Sequence, residues 1–177
     1  MESQNSPSNA WLAQPLSRFL PELSLETLLI TFILLLAVVS RFYDVDARVM
    51  SHDEVNHVVP SWDLYQGKGY RHDPVTHGPL QFHMIALSYF MMGDSDFSSR
   101  LPAVLCSIAT VAVVLFGYRR YLGRSGAIIG GLLVLISPYL LFYGRYTRNE
   151  ALVGLFGALM IYAVLRYLDR GDSASMI

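Results

Sequence analysis

The sequence predicts an all-α integral membrane protein, with four transmembrane helices and two juxtamembrane, interfacial helices in a long first outer loop. Three observations carry this prediction. Of 177 residues, 53% are hydrophobic and only 15% are charged, against about 25% charged in an average soluble domain. The uncharged residues gather in long runs, as expected of helices that cross a hydrocarbon core. Arginines cluster beside particular run ends, which orients those runs. A net charge of −1 leaves no basic footprint, so nucleic acid is not an expected partner. Cys106 is the only cysteine, which excludes an intrachain disulfide or a cysteine-based zinc site.

Residues 1–24 read as a disordered, cytoplasmic N-terminal segment, with Pro15 to Leu23 as an amphipathic approach to the membrane. The first apolar run ends in Val38-Val39-Ser40-Arg41, which is no small-residue cleavage site, so an uncleaved anchor is expected. Four runs reach the length of about 17–20 residues that a span needs: residues 25–43, 101–118, 126–143 and 151–168. Glu26, Arg41 and Arg166 lie near run ends, where charged groups can reach the interface. A fifth stretch is too short to span and contains Gln81 and His83. His77, Gln81 and Ser88 share one helical stripe, which fits a helix lying in the interface over 78–92, opened by Gly78-Pro79. The alternative is a short tilted span.

Topology separates the two. Arg119, Arg120 and Arg124 fall in the loop 119–125, and positive-inside bias makes that loop cytoplasmic. With four spans, the N-terminus and the tail 169–177 are cytoplasmic too, in a multi-pass protein of the cell membrane. Residues 44–100 then form one outer loop and residues 144–150 a second. Ser51-His52-Asp53-Glu54 reads as a capping box opening a helix over 52–66, with Pro60 predicting a kink or early stop and Gly67-Lys68-Gly69 the end. Gly126 and Gly130 have GxxxG spacing beside Gly131, and Gly154 and Gly157 lie on the last span, where small residues allow close helix approach.

The outer side collects the groups capable of chemistry. Asp53, Glu54 and Glu150 share one membrane face in the four-span reading, as an acid/base or cation site requires. Capping accounts for Glu54 and leaves Asp53 free to point elsewhere. His52, Asp53 and His57 have spacing that could ligate a metal, but no second ligand pair accompanies them, which favours solvated loop histidines. Arg145 and Arg148 are either phosphate ligands or interfacial anchors.

Three motifs in this order carry a family resemblance: Ser51-His52-Asp53-Glu54 just beyond the first span, His77-Gly78-Pro79-Leu80 opening the interfacial helix, and Tyr143-Gly144-Arg145-Tyr146-Thr147-Arg148-Asn149-Glu150 after the third span. Residues 25 to about 170 resemble the N-terminal part of GT-C type membrane glycosyltransferases. These include relatives of protein mannosyltransferases, of aminoarabinose transferases and of the flippase-activity-associated glycosyltransferase-like proteins. The resemblance implies transfer of a sugar from a polyprenyl-phosphate carrier to an acceptor on the non-cytoplasmic face, with inversion. It gives Asp53 the role of catalytic carboxylate with Glu54 beside it, and makes Glu150 the second acidic residue. Arg145 and Arg148 become ligands of the leaving phosphate, and His57 and His77 supporting residues. In some relatives a divalent cation, Mg or Mn, sits between the acidic loops; the residues leave open whether one does here. Family members are several times longer, so the chain reads as a fragment or a shortened relative. The competing reading is a non-catalytic transmembrane subunit, whose partners would be other membrane subunits as well as membrane lipid. A transporter is disfavoured because no span interior carries an acidic residue.

Overall fold

A computed structural model describes residues 24–71 and 78–170. The expectations for residues 1–23 and 171–177, and for His77, lie outside the described residues. The described residues are helical with no strand: α1 (Leu25–Phe42), α2 (His52–Tyr65), α3 (Pro79–Met92), α4 (Asp96–Ala112), α5 (Arg119–Ile136), α6 (Pro138–Tyr143) and α7 (Glu150–Arg170). A π-helical turn over Val113–Gly117 prolongs α4.

Among the described residues, three helices are long and apolar enough to cross a membrane: α1, α4 with its π turn (Asp96–Gly117) and α7. At about 1.5 Å per residue each covers roughly the 30 Å of hydrocarbon. The continuous span expected over 126–143 is in two pieces. Pro138 has no N–H to give the Val134 carbonyl and pushes Ser137 out of helical geometry (φ −57°, ψ 118°). The helix therefore stops at Ile136 and restarts as α6, whose cap is the Ser137 hydroxyl on the Leu140 N–H. A second break lies at Gly123 (φ 72°, ψ 177°), a left-handed conformation that glycine adopts without strain.

The Pro138 break explains the first surprise. Arg41, expected to reach the interface, is fully buried. Its Nη1 donates to the Leu135 carbonyl at 3.1 Å and its Nη2 to the Val134 carbonyl at 3.3 Å. Nε donates to Ser107 Oγ and Nη1 also to Ser40 Oγ. The guanidinium supplies donors to carbonyls that the proline orphaned, so a buried charge and a broken helix satisfy each other.

α4 is the central helix. It packs on α1, α3, α5 and α7, while much of α1 and α7 faces outward. It begins earlier than the expected 101, at a Ser95–Ser98 capping box. The core between α1, α5 and the π turn is built from Ile33, Ala37, Val111, Leu115 and Leu135. Gly131 is the tightest helix approach there: a Cβ at that position would stand 2.4 Å from Leu115 Cδ2. Gly154 and Gly157 face open space instead.

α2 has the expected capping box, with Ser51 Oγ accepting from the Glu54 N–H and the Glu54 carboxylate accepting from the Ser51 N–H. It neither stops at Pro60 nor shortens, running on to Tyr65. It ends where expected, with Gly67 and Gly69 at φ 79° and 81°. α3 starts at Pro79 behind Gly78, as the sequence indicates. Gln81 and Ser88 are buried, while Leu80, Leu87, Phe90, Met91 and Met92 are exposed. The two polar groups turn toward protein together with Phe82, Ile85 and Tyr89, while His83 stays exposed.

Ion pairs define the two ends of the bundle. At one, Arg119 and Arg124 reach Glu26 at 2.6 and 3.4 Å, and Arg120 reaches Asp169 at 2.5 Å. The start of α1, the start of α5 and the end of α7 therefore share one end. The opposite end holds α2, the start of α4 and the α6–α7 loop.

Candidate functional site

Glu54 is the hub of that opposite end. It is fully buried. Oε1 accepts from Arg100 Nε at 2.9 Å and from the Thr147 N–H at 3.1 Å. Oε2 accepts from Arg100 Nη2 at 3.2 Å, Arg48 Nη2 at 2.9 Å and the Ser51 N–H at 3.1 Å. Arg100, also fully buried, spends its remaining Nη1 on the Val45 carbonyl at 2.7 Å. Burial alone would raise the Glu54 carboxyl. Hydrogen bonds from Arg100, Ser51 and Thr147, together with the Arg100 charge, outweigh burial and hold it below the usual carboxylate range. The hub joins the loop after α1, the cap of α2, the second turn of α4 and the α6–α7 loop.

The α6–α7 loop closes over this hub. Tyr146 hydrogen-bonds Ser51 through its hydroxyl, and the Arg48 guanidinium lies over the Tyr146 and Phe142 rings at 4.9 and 5.3 Å. Thr147 Oγ1 donates to the Ser99 carbonyl at 3.3 Å. With Thr147 pinned on both sides, the next residue is aimed outward.

That residue is Arg148, and it unites two of the carboxylates singled out in the sequence. Its Nη1 contacts Asp53 Oδ2 at 2.9 Å and its Nε contacts Glu150 Oε1 at 3.2 Å. Asp53 is on the first turn of α2 and Glu150 on the first turn of α7, where helix N-termini favour negative charge. The Asp53 side chain is 52% exposed, Arg148 31% and Glu150 24%. Arg148, Asn149 and Glu150 are the polar lining of a cavity of about 690 Å³ whose other walls are apolar residues of α3, α6 and α7 and the Gly78-Pro79 start. Glu150 Oε2 and Asn149 Nδ2 are buried without a hydrogen-bond partner among the described residues. Such a site offers one cation, two carboxylates and an apolar trough beside them.

The other residues singled out in the sequence are elsewhere. Glu54 sits behind Asp53, its oxygens fully engaged. Arg145 Nη2 donates to the Tyr43 carbonyl and to the Asp44 carbonyl at 3.0 Å, so it closes the end of α1. Arg145 and Arg48 line a separate cavity of about 400 Å³. His57 is buried in α2, its ring 5.7 Å from that of Phe82 on α3. His77 lies outside the described residues. Among the described residues, the Arg148 guanidinium fills the space between Asp53 and Glu150. No cluster of three or more His, Cys, Asp or Glu side chains gathers among the described residues.

Sequence reasoning missed Arg100, Arg48 and Thr147. Arg100 carried a usable signal, a charge entering an apolar run, which calls for a named partner. Arg48 and Thr147 carried none, since their roles depend on pairings 6 and 93 residues away.

A family model described as dolichyl-phosphate-mannose-protein mannosyltransferase matches residues 76–177, more than half of the chain. The match includes Arg100, Arg148 and Glu150; Asp53 and Glu54 precede it. No curated protein and no solved structure matches significantly. An apolar helical bundle with an ionic site at one end agrees with that match, and the chain belongs to the dolichyl-phosphate-mannose-protein mannosyltransferase family of membrane glycosyltransferases.

Proposed function

We propose that the chain carries part of the active site of a glycosyltransferase that moves a sugar from a polyprenyl-phosphate donor to an acceptor hydroxyl on the non-cytoplasmic face of the cell membrane. The observation that carries this reading is the Asp53–Arg148–Glu150 bridge beside the apolar cavity. An apolar trough suits a polyprenyl chain, and a guanidinium at its polar side suits the phosphate. The acceptor oxygen attacks the anomeric carbon as the bond from that carbon to the phosphate oxygen breaks, with inversion. The hydroxyl proton passes to an Asp53 carboxylate oxygen, and the polyprenyl phosphate leaves with its charge met by Arg148. Glu150 orients Arg148, and Glu54 positions the loop through Arg100 and Thr147 without touching substrate. Arg145 shapes the same loop from behind.

The arginine-rich end is cytoplasmic in this reading, by the positive-inside bias of Arg119, Arg120 and Arg124. Four crossings follow if the second half of α5 and α6 together make the third, leaving α2 and α3 as juxtamembrane helices. The test is transfer of labelled mannose from polyprenyl-phosphate-mannose by membranes holding the full protein. Asp53→Ala is expected to reduce transfer by about 10²-fold or more. Equal transfer by wild type and Asp53→Ala ends the assignment.

A second reading, a transmembrane subunit of a larger assembly, draws on α7. Its Val153, Phe156, Met160 and Ile161 are exposed beside the open Gly154 and Gly157. Co-migration with other membrane proteins in mild detergent, with no transfer activity, would favour it.

A further inference from the structure

We propose that Arg148 exchanges partners when the donor binds: the donor phosphate displaces the Asp53 carboxylate from the guanidinium, so that the base is freed to turn toward the acceptor as the electrophile is seated. This rests on the polyprenyl-phosphate reading above.

The argument starts from the shape of a guanidinium. Arginine grips a phosphate bidentately along one of two edges, Nη1 with Nη2 or Nε with Nη2. In this structure each edge already holds a carboxylate, Asp53 on Nη1 and Glu150 on Nε. A phosphate reaching Arg148 from the cavity that Arg148 lines must therefore displace one of them or settle for a single hydrogen bond.

The two carboxylates are unequal competitors. Glu150 is the more buried, on a residue two positions from Arg148 in the same chain segment, and its Oε2 is already without a partner. Stripping Arg148 away would leave a charged carboxylate in a poorly solvated place with neither oxygen paired. Asp53 is half exposed, is anchored on a different helix and makes one contact with Arg148. Water can hydrate it as soon as it is released, so its displacement is the cheaper exchange. Glu54 keeps the backbone on both sides still, through the cap of α2 and the Thr147 N–H. Only side chains need to move.

The consequence is geometric. While Asp53 Oδ2 holds Arg148, the carboxylate is tied to the guanidinium through that oxygen and only Oδ1 is open. Phosphate arrival frees the side chain to turn either oxygen toward an acceptor hydroxyl. No proton or electron changes hands in the exchange; one anion replaces another on a cation.

The test measures binding of a polyprenyl phosphate without sugar to the full protein in lipid nanodiscs. Asp53→Asn removes the competitor and is expected to tighten binding about two- to fivefold, the scale of an exposed ion pair. Arg148→Ala is expected to weaken binding about tenfold or more. In the Arg148→Ala background Asp53→Asn is expected to change nothing. If Arg148→Ala does not fold, Arg148→Lys replaces it; a lysine has no bidentate edge, and the gain from Asp53→Asn is expected to shrink. The proposal is overturned if wild type binds and Asp53→Asn binds equally or more weakly. It is also overturned if Asp53→Asn tightens binding as much without Arg148, which would reflect general charge repulsion. Absence of binding in wild type and Asp53→Asn alike would overturn the donor class itself, and the exchange with it.

Discussion

Replacing Glu54 by glutamine changes one atom and tests the hub directly. The carboxylate accepts five hydrogen bonds, two at Oε1 and three at Oε2. An amide keeps only one acceptor oxygen. If its NH₂ group takes the Oε1 position, it faces the donors Arg100 Nε and Thr147 N–H; at the Oε2 position it faces three donors. Either way Arg100 stays buried with its charge uncompensated. Breaking a buried pair by neutralising one partner costs about 3–5 kcal/mol, so Glu54→Gln is expected to lose that much. The assay is reversible unfolding by denaturing detergent in mixed micelles. Glu54→Leu with Arg100→Met, which removes both charges, is expected to recover most of the loss. The pH dependence supplies a second reading. The folded carboxyl lies below its unfolded value of 4.5. Its contribution is thus complete above that value and is lost as pH falls through it toward the folded value. Wild type should lose stability over that acid range, and Glu54→Gln should lack that component. A Glu54→Gln loss under about 1 kcal/mol, with an unchanged acid limb, would refute the hub.

Arg41→Met is expected to cost about 2–5 kcal/mol in the same assay, because two carbonyls at the Pro138 break lose their donors. Gly131→Ala, which drives a methyl into Leu115, is expected to cost about 1–3 kcal/mol, while Gly154→Ala stays within about 1 kcal/mol of wild type. Arg145→Ala is expected to lower stability by about 1 kcal/mol or more, since Arg145 closes the end of α1, yet to leave polyprenyl-phosphate affinity within about twofold. A tenfold loss of that affinity would return Arg145 to the phosphate site.

Local signals in the sequence specified local structure well. The Ser51–Glu54 capping box, the Gly78-Pro79 start of α3 and the Gly67–Gly69 stop of α2 all depend on neighbours within a few residues, and all are seen. Asp53 and Glu150 were legible as candidates because the span count put them on one face. Their joining through Arg148 was not, since it requires the α6–α7 loop to fold back onto α2. The α3 stripe put Gln81 and Ser88 on one face, as seen, but polar periodicity does not say whether water or protein lies against that face. Arg41 misled, because a charge near a run end reads as interfacial until a buried acceptor is found for it. The Ser137-Pro138 break was visible in the sequence as a proline inside a helical run, and the apolar length overshadowed it.

The hub also sets a schedule for synthesis. Glu54 emerges 46 residues ahead of Arg100 and 93 ahead of Thr147. At about 5–20 residues per second, the first interval is a few seconds. Through it, the acidic start of α2 has only the half-exposed Arg48 as a counter-charge and remains hydrated outside the bilayer. Delivery of Arg100 at the head of α4 is what allows that end to dry out. The last loop then locks it, so assembly of this region completes only after the chain has been made as far as α7.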